Sequence, residues 1–297
     1  MKKNIKFNTT QSFSRYEFKF LLSKKKANQI ENEIKNFMIL DENALSKKNK
    51  KYFVRSLYFD TPEYSNFYEK VDGIKIRKKF RIRSYTNKKN NESSLFLEMK
   101  GRRNQRTYKL RTPLSYKYLD YILNQKYQNI LSNLNLKKNK VMNDFIYDSI
   151  KKKIEPKVIV DYYRRPYVNK FGLLFRLTFD TNVLSSPAKN IFENDKNLSF
   201  KECMAGKTIL ELKFERSIHP WFHKIIQNYD LMRLSISKFA LGMEKSGYGR
   251  ETSNWRIFRK MKNKYFIFVH RHRFRNRVLN NFLKIKKIDN YIILNLS

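Results

Sequence analysis

The chain has 297 residues, and 65 Lys and Arg against 26 Asp and Glu give it a formal net charge of +39 at pH 7. Its composition, 41% hydrophobic and 15% aromatic, supplies a sizeable core and excludes wholesale disorder, while a single cysteine, Cys203, excludes an intrachain disulfide and is typical of a reducing compartment. No apolar run approaches the ~18 residues that span a bilayer, and the basic N-terminus lacks the apolar segment of a secretory signal, so we expect a cytoplasmic protein with no transmembrane segment.

The first predicted element is a strand over residues 13–22, where apolar and charged residues alternate. Successive side chains of a strand point to opposite faces, so one face is apolar and the other carries Arg15, Glu17 and Lys19. Ser23 then caps a predicted helix that runs to about Met38.

A second strand is predicted over 52–60, and a short helical or turn segment over 64–69. The strongest alternation follows, in a third predicted strand over 74–85. Its apolar face carries Ile74, Ile76, Phe80 and Ile82, and its charged face carries Lys75, Arg77, Lys79, Arg81 and Arg83. Two further strands, over 95–100 and 106–112, have the same two-faced pattern, and Pro113 is predicted to end the second.

The second half of the chain begins with a helical region, because residues 114–153 have helix-like spacing and no alternation. Strands resume at 157–168, 171–181 and 208–215. A helix with Pro220 in its first turn is predicted to run to about Asp230.

Two domains are predicted. Residues 10–248 are expected to form one antiparallel β-rich unit with helices, and the strongly basic residues 249–297 a C-terminal extension.

The positive charge alone is weak evidence for a partner. It is consistent with nucleic-acid binding, but a chain rich in Lys and Asn and poor in Gly and Pro is also what an AT-rich genome encodes. The informative cations are therefore those that strand alternation places together on one face.

Two arrangements explain the charged strand faces. In an ordinary antiparallel sheet they lie in solvent. In a closed barrel whose apolar faces lie outward under helices, they line a central tunnel. The unbroken cations of 75–83 favour the second arrangement, since opposed like charges cost stability and a cationic tunnel needs a polyanion to neutralise it. Arginine suits phosphate, and a hard divalent cation suits interspersed carboxylates, here Glu17, Glu98, Asp180 and Glu211.

A family resemblance rests on segments that occur in order from about 14 to 245. They are SRYEFKFLL (14–22), VRSLYFDT (54–61), YEKVDGIKIRKKFRIRSY (68–85), LFLEMKG (95–101), YKLR (108–111), YYRRPY (162–167), LFRLTFDT (174–181), ILELKF (209–214) and SKF (237–239). The series resembles the VTC domain, the polyphosphate polymerase domain of the CYTH-like triphosphate tunnel superfamily. The resemblance implies an α+β fold, a closed antiparallel β-barrel that forms a triphosphate tunnel with helices packed outside.

The resemblance also implies residue roles and a reaction. It implies transfer of the γ-phosphate of ATP to polyphosphate, with Mn²⁺ or Mg²⁺ held by Glu211. The implied catalytic residues are Lys19, Arg81, Arg83 and Lys238, and the implied substrate-binding residues are Lys100, Lys109, Arg111, Arg164, Arg176, Lys213 and Ser237.

Two other functions remain open. With water as the acceptor, the same site would be a triphosphatase or polyphosphatase. Without catalysis, the chain would be a polyphosphate or nucleic-acid binding module, for which the basic, aromatic-interleaved tail with Arg271, Arg273, Arg275 and Arg277 argues.

Overall fold

The alternating segments of the sequence form the strands of one antiparallel sheet. The computed structural model describes residues 12–47, 49–89, 94–132, 139–170 and 175–249. Within these ranges the strands are β1 (Ser12–Ser23), β2 (Met38–Leu40), β3 (Tyr52–Asp60), β4 (Ile76–Ser84), β5 (Leu95–Arg103), β6 (Arg106–Leu114), β7 (Glu155–Asn169), β8 (Arg176–Pro187), β9 (Lys201–Glu202) and β10 (Lys207–Phe214).

Eight helices connect or follow these strands in the described ranges. They are α1 (Lys24–Ile34), α2 (Glu42–Leu45), α3 (Ser65–Val71), α4 (Tyr116–Leu123), α5 (Tyr127–Leu131), α6 (Lys140–Lys152), α7 (Pro220–Asn228) and α8 (Lys238–Lys245). Two helix starts follow from the sequence: Ser23 Oγ accepts a hydrogen bond from the Lys26 amide at 3.2 Å, and Pro220 is the first residue of α7. None of these helices has the length and apolarity needed to cross a membrane.

Eight strands close into a ring in the order β7-β3-β4-β5-β6-β1-β10-β8, because β8 also pairs with β7. All of these pairings are antiparallel. Strand β2 adds to β7, and β9 adds to β8. Closure gives every strand of the ring two neighbours and places the two faces of each strand inside and outside the ring.

The outer faces are apolar and lie under helices, as the alternation predicts. One cluster packs Leu57 and Leu97 against Phe145 of α6, and it includes residues of α4 and α5. A second cluster packs Phe20 and Phe179 against Phe222 of α7, and it includes residues of α1. Burial of these side chains stabilises the ring from outside and leaves the charged faces to the interior.

The prediction that the helices pack outside the barrel is wrong for α8, which packs against the inner face of the ring. On β7, Val158 and Val160 share a strand face with Arg164, and this face points into the ring. Phe239 and Met243 of α8 pack in one buried cluster with these two valines. The inner face is therefore apolar toward one edge of the ring, and α8 covers it there.

Several predicted boundaries are wrong. Helix α1 ends at Ile34, not near Met38, because Met38 opens β2 and pairs with Asn169. The third predicted strand begins at Ile76, not at residue 74. Ile76 was predicted to lie on the apolar face, but it lies opposite Arg103, the last residue of β5, and is 67% exposed at the edge of the ring.

Two strands run further than predicted. Strand β6 continues through Pro113 to Leu114. Proline has no N–H to donate to a neighbouring strand, but the described part of β1 begins opposite Lys109 and does not reach Pro113, so no hydrogen bond to it is lost there. Strand β8 continues to Pro187, beyond the predicted end at 181, and residues 171–174, where that strand was predicted to begin, lie outside the described residues.

The predicted domain limits remain predictions. The extension 249–297 falls, except for Gly249, outside the described residues, and so do the arginines of 271–277.

Candidate active site

The ring surrounds a cavity of about 1190 Å³ whose wall is formed by the charged faces of the strands. The described residues that line it include 19 Lys and Arg side chains and two Glu side chains. Two more carboxylates, Glu98 and Asp180, contact these cations from fully buried positions. Even with all four counted, the cavity carries a large excess of positive charge, which a bound polyanion would neutralise.

All twelve predicted site residues lie on the wall of this cavity. The structure brings together Lys19, Arg81, Arg83, Lys100, Lys109, Arg111, Arg164, Arg176, Glu211, Lys213, Ser237 and Lys238. Their proximity follows from strand parity and ring closure, and their roles stay predictions.

Arg81 and Arg83 of β4 share the buried carboxylate of Glu98 on β5. Arg81 Nη2 lies 2.6 Å and Nε 2.7 Å from Glu98 Oε2, whereas Arg83 Nε is 3.8 Å away from that oxygen. Burial raises the pKa of Glu98, but the guanidinium groups of Arg81 and Arg83 outweigh it and hold the pKa well below its usual range. Glu98 is therefore an anion that keeps two arginines in place.

The two arginines differ in how fully they are bonded. Arg81 Nη1 donates to the Tyr58 hydroxyl at 2.9 Å, and Arg83 Nη2 donates to the Tyr162 hydroxyl at 3.2 Å. Arg83 Nε is buried and has no hydrogen-bond partner among the described residues. A buried donor without a partner is costly, so a ligand oxygen at this position would satisfy it.

Strands β1 and β10 contribute a quartet of opposite charges. The register sets Lys19 opposite Glu211 and Glu17 opposite Lys213. Lys19 Nζ lies 2.9 Å from Glu17, and Lys213 Nζ lies 2.5 Å from Glu211 Oε1. Burial lowers the pKa of Lys19, but Glu17 and Glu211 outweigh it and raise that pKa above its usual value. Burial lowers the pKa of Lys213 to about 8, although Glu211 opposes the change.

A third group joins β7, β8 and the first turn of α8. Arg164 Nε and Nη2 each bond Asp180 at 2.7 Å, and Lys238 Nζ lies 2.6 Å from the same carboxylate. Ser237 caps α8 by accepting from the Ala240 amide, and its Oγ also accepts from Lys79 Nζ at 3.2 Å. The cap thus fixes where Lys238 enters the cavity.

The remaining predicted cations lie on β5, β6 and β8. Lys109 Nζ is 3.4 Å from Glu98 Oε1, and burial lowers the pKa of Lys109 to about 7. Lys100 pairs with Glu17 at 3.0 Å. Arg176 pairs with Asp41 at 2.9 Å, and the Arg111 guanidinium lies 4.5 Å from the centre of the Phe96 ring.

Sequence reasoning missed Lys79, Tyr58 and Tyr162 as site residues. Lys79 Nζ lies 4.4 Å from the centre of the Phe239 ring, and burial together with Lys100 and Lys19 lowers its pKa well below the usual value. The alternation had placed Lys79 on the charged face, so parity was a usable signal. No signal marked the tyrosines, because a hydroxyl that bonds an arginine across strands depends on the register.

The residues around Glu211 fit a single divalent cation. No group of three or more His, Cys, Asp and Glu side chains close enough to hold a metal exists in the described ranges. Mg²⁺, however, is usually held by one or two carboxylates together with substrate phosphates. Glu211 Oε2 suits this role, since the cations that face it, Lys19 Nζ and Arg164 Nη2, lie 3.8 and 3.9 Å away, beyond hydrogen-bond range.

Comparison with known proteins gives one family match. The family model described as the VTC domain matches residues 14–246. No curated protein matches the sequence.

Several solved structures are similar to the structure of this chain. A protein from Bacillus halodurans named as a candidate adenylate cyclase is 13% identical, with 82% of this chain and 97% of that chain covered and a TM-score of 0.45. HpAC1 from Hippeastrum, described as having a dominant triphosphatase activity, is 13% identical over 80% of this chain and 98% of its own, with a TM-score of 0.42. The Mimivirus capping enzyme triphosphatase is 12% identical over 73% of this chain and 88% of its own, with a TM-score of 0.32. Likeness at this level adds nothing about activity.

Proposed function

Because this chain belongs to the VTC domain family, we propose that it is a polyphosphate polymerase that transfers the γ-phosphate of ATP to a growing polyphosphate chain. The observation that carries the proposal is the cavity inside the ring, on whose wall the described residues place 19 Lys and Arg side chains and two Glu side chains. A substrate and a product that are both chains of phosphates suit such a cavity, because each phosphate supplies the negative charge that the wall lacks.

Phosphoryl transfer asks the protein mainly to align the phosphates and to neutralise the charge that develops on them. In this proposal Arg81 and Arg83 bind the triphosphate, and Arg83 Nε gains the oxygen partner that it lacks. Lys19 and Lys238, each tied to a buried carboxylate, would contact the transferred group. A terminal oxygen of polyphosphate attacks the γ-phosphorus, the bond to the β–γ bridging oxygen breaks, and ADP leaves with the electron pair.

Glu211 would hold Mg²⁺ or Mn²⁺ through Oε2, with phosphate oxygens completing the ligand set. When bound, the metal would supply positive charge to the phosphate oxygens on which negative charge develops. The chain's own contribution is to keep this carboxylate ionised, since Lys213 and Lys19 outweigh burial and hold the pKa of Glu211 well below its usual range.

The proposal is tested by incubating the full chain with ATP and Mn²⁺ or Mg²⁺ and sizing the phosphate products on a polyacrylamide gel. We expect ADP and a ladder of long-chain polyphosphate. ADP with inorganic phosphate alone would replace the proposal with a triphosphatase, and metal-independent binding without turnover would replace it with a binding module.

Substitution at the proposed metal ligand sharpens this test. Glu211→Ala should lower the rate of polyphosphate formation by at least 100-fold, in keeping with the ~10²–10³ lost when one transition-state electrostatic contact is removed. Glu202→Ala, an exposed glutamate on β9, is the matched control and should synthesise polyphosphate at the normal rate. Undiminished synthesis by Glu211→Ala would remove the metal role from this residue.

A further inference from the structure

Three aromatic rings follow one another around one rim of the cavity. Tyr52 is the first residue of β3, Tyr85 comes directly after β4, and Phe96 is the second residue of β5. Because neighbouring strands are antiparallel, the start of β3, the end of β4 and the start of β5 meet at the same edge of the ring. The Tyr52 and Tyr85 ring centres are 5.7 Å apart, and those of Tyr85 and Phe96 are 6.2 Å apart.

These rings are part of the cavity wall and remain accessible. All three line the cavity, Tyr85 is 39% exposed, and Tyr52 and Phe96 are half-buried. Both ring pairs are T-shaped, with interplanar angles of 77° and 73°. Exposed apolar surface at the mouth of a polar cavity is typical of a ligand contact.

Tyr85 lies on the same side of the chain as Arg81 and Arg83, the two arginines that bind the triphosphate in the proposed function. Arg81, Arg83 and Tyr85 follow one another at every second residue, so they share one side of β4 and its extension. At ~3.3 Å per residue, Tyr85 lies about 13 Å along the chain from Arg81. A group joined to the outer end of a triphosphate held by these arginines would therefore reach the aromatic rim.

The opposite rim has a different character. Lys70, Arg77, Arg102 and Arg233 line the cavity there. Burial and the nearby Arg77 lower the pKa of Lys70 to about 8, and burial together with Arg102 lowers the pKa of Arg77. Cations that repel one another suit phosphate oxygens, which would neutralise them.

We propose that Tyr52, Tyr85 and Phe96, here called the aromatic rim, form the subsite for the nucleobase of the triphosphate donor. The inference rests on the proposed function and adds the end of the cavity at which the base lies. Stacking on aromatic rings is tolerant of the base, since every base has a π-face. We therefore expect ATP and GTP to bind with similar affinity.

The test compares a ligand that has a base with one that has none. Isothermal titration calorimetry on the full chain gives dissociation constants for the β,γ-imido analogue of ATP and for inorganic tripolyphosphate. Tyr85→Ala should weaken binding of the ATP analogue about 5- to 10-fold, the low end of what loss of one stacked base costs, and leave tripolyphosphate binding unchanged. Tyr85→Trp should restore binding of the analogue, and Tyr147→Ala, an exposed tyrosine on α6, should change neither ligand.

Three results would overturn the inference: equal weakening of both ligands, no weakening of either, or no rescue by tryptophan. Thermal unfolding of each variant excludes a misfolded Tyr85→Ala, and Tyr52→Leu provides a second variant with the same expected difference. The proposed function fails separately, if the wild-type chain forms no polyphosphate while the aromatic rim still distinguishes the analogue from tripolyphosphate.

Discussion

Glu98→Gln removes the negative charge around which Arg81, Arg83 and Lys109 are arranged. The glutamate side chain is fully buried, and its oxygens lie 2.6 Å from Arg81 Nη2 and 3.4 Å from Lys109 Nζ. Breaking a buried ion pair by removing one partner costs about 3–5 kcal/mol. Glutamine keeps one acceptor oxygen, so we expect a loss near the lower end, about 3 kcal/mol. For a domain of this size each kcal/mol corresponds to about 2–4 °C, and Tm should fall by about 6–12 °C.

The same substitution should strengthen binding of a polyanion. With one fewer carboxylate, the cations of the cavity gain more from tripolyphosphate, so the ligand should raise the Tm of Glu98→Gln by more degrees than that of the wild type. Circular dichroism melts with and without tripolyphosphate measure both effects, and Glu202→Gln on β9 is the exposed control. A variant as stable as the wild type, or one that tripolyphosphate stabilises less, would refute the assignment of Glu98 as the buried counter-ion of the site.

Two other predictions concern protonation and packing. The pKa of Lys109 is lowered to about 7, and a bound polyanion favours its charged form, so binding takes up a proton and affinity for tripolyphosphate should fall as pH rises from 6 to 8. Lys109→Arg, which stays charged, should flatten that slope in calorimetric titrations; an unchanged slope would exclude Lys109 as its source. Gly242→Ala should lower the Tm, because a Cβ at this position would lie 2.8 Å from Val160 Cγ2, and a melt indistinguishable from wild type would show that α8 can shift at no cost.

The strand faces of the ring could be predicted from the sequence because alternation is a local property. Arg81, Glu98 and Glu211 occupy the charged parity of their strands, and each points to the inside of the ring. Alternation does not say which of the two faces, the apolar or the charged one, lies inside the ring. That depends on pairings between strands far apart in the chain, such as β1 with β10 and β3 with β7, and such long-range pairings have no signature in either strand alone.

The position of α8 and the aromatic rim could not be predicted, since both depend on how distant segments meet. Phe239 and Met243 give α8 an apolar face, but an apolar face packs equally well inside or outside a ring. Tyr52, Tyr85 and Phe96 are far apart in the chain, and only the register of three strands brings their rings together. Proton affinities such as that of Lys79 follow from burial and neighbouring charges, which the sequence does not contain.

Helix α8 couples ligand binding in the cavity to the stability of the fold, because it takes part in both. Its first residue, Lys238, is bonded to Asp180, while its later residues fill the apolar end of the ring interior. A ligand that draws Lys238 inward would therefore tighten the packing of the whole helix, and loosening of the helix would retract a cation from the ligand. Local opening of this single element, measurable by hydrogen exchange of its amides, would then report whether the cavity is occupied.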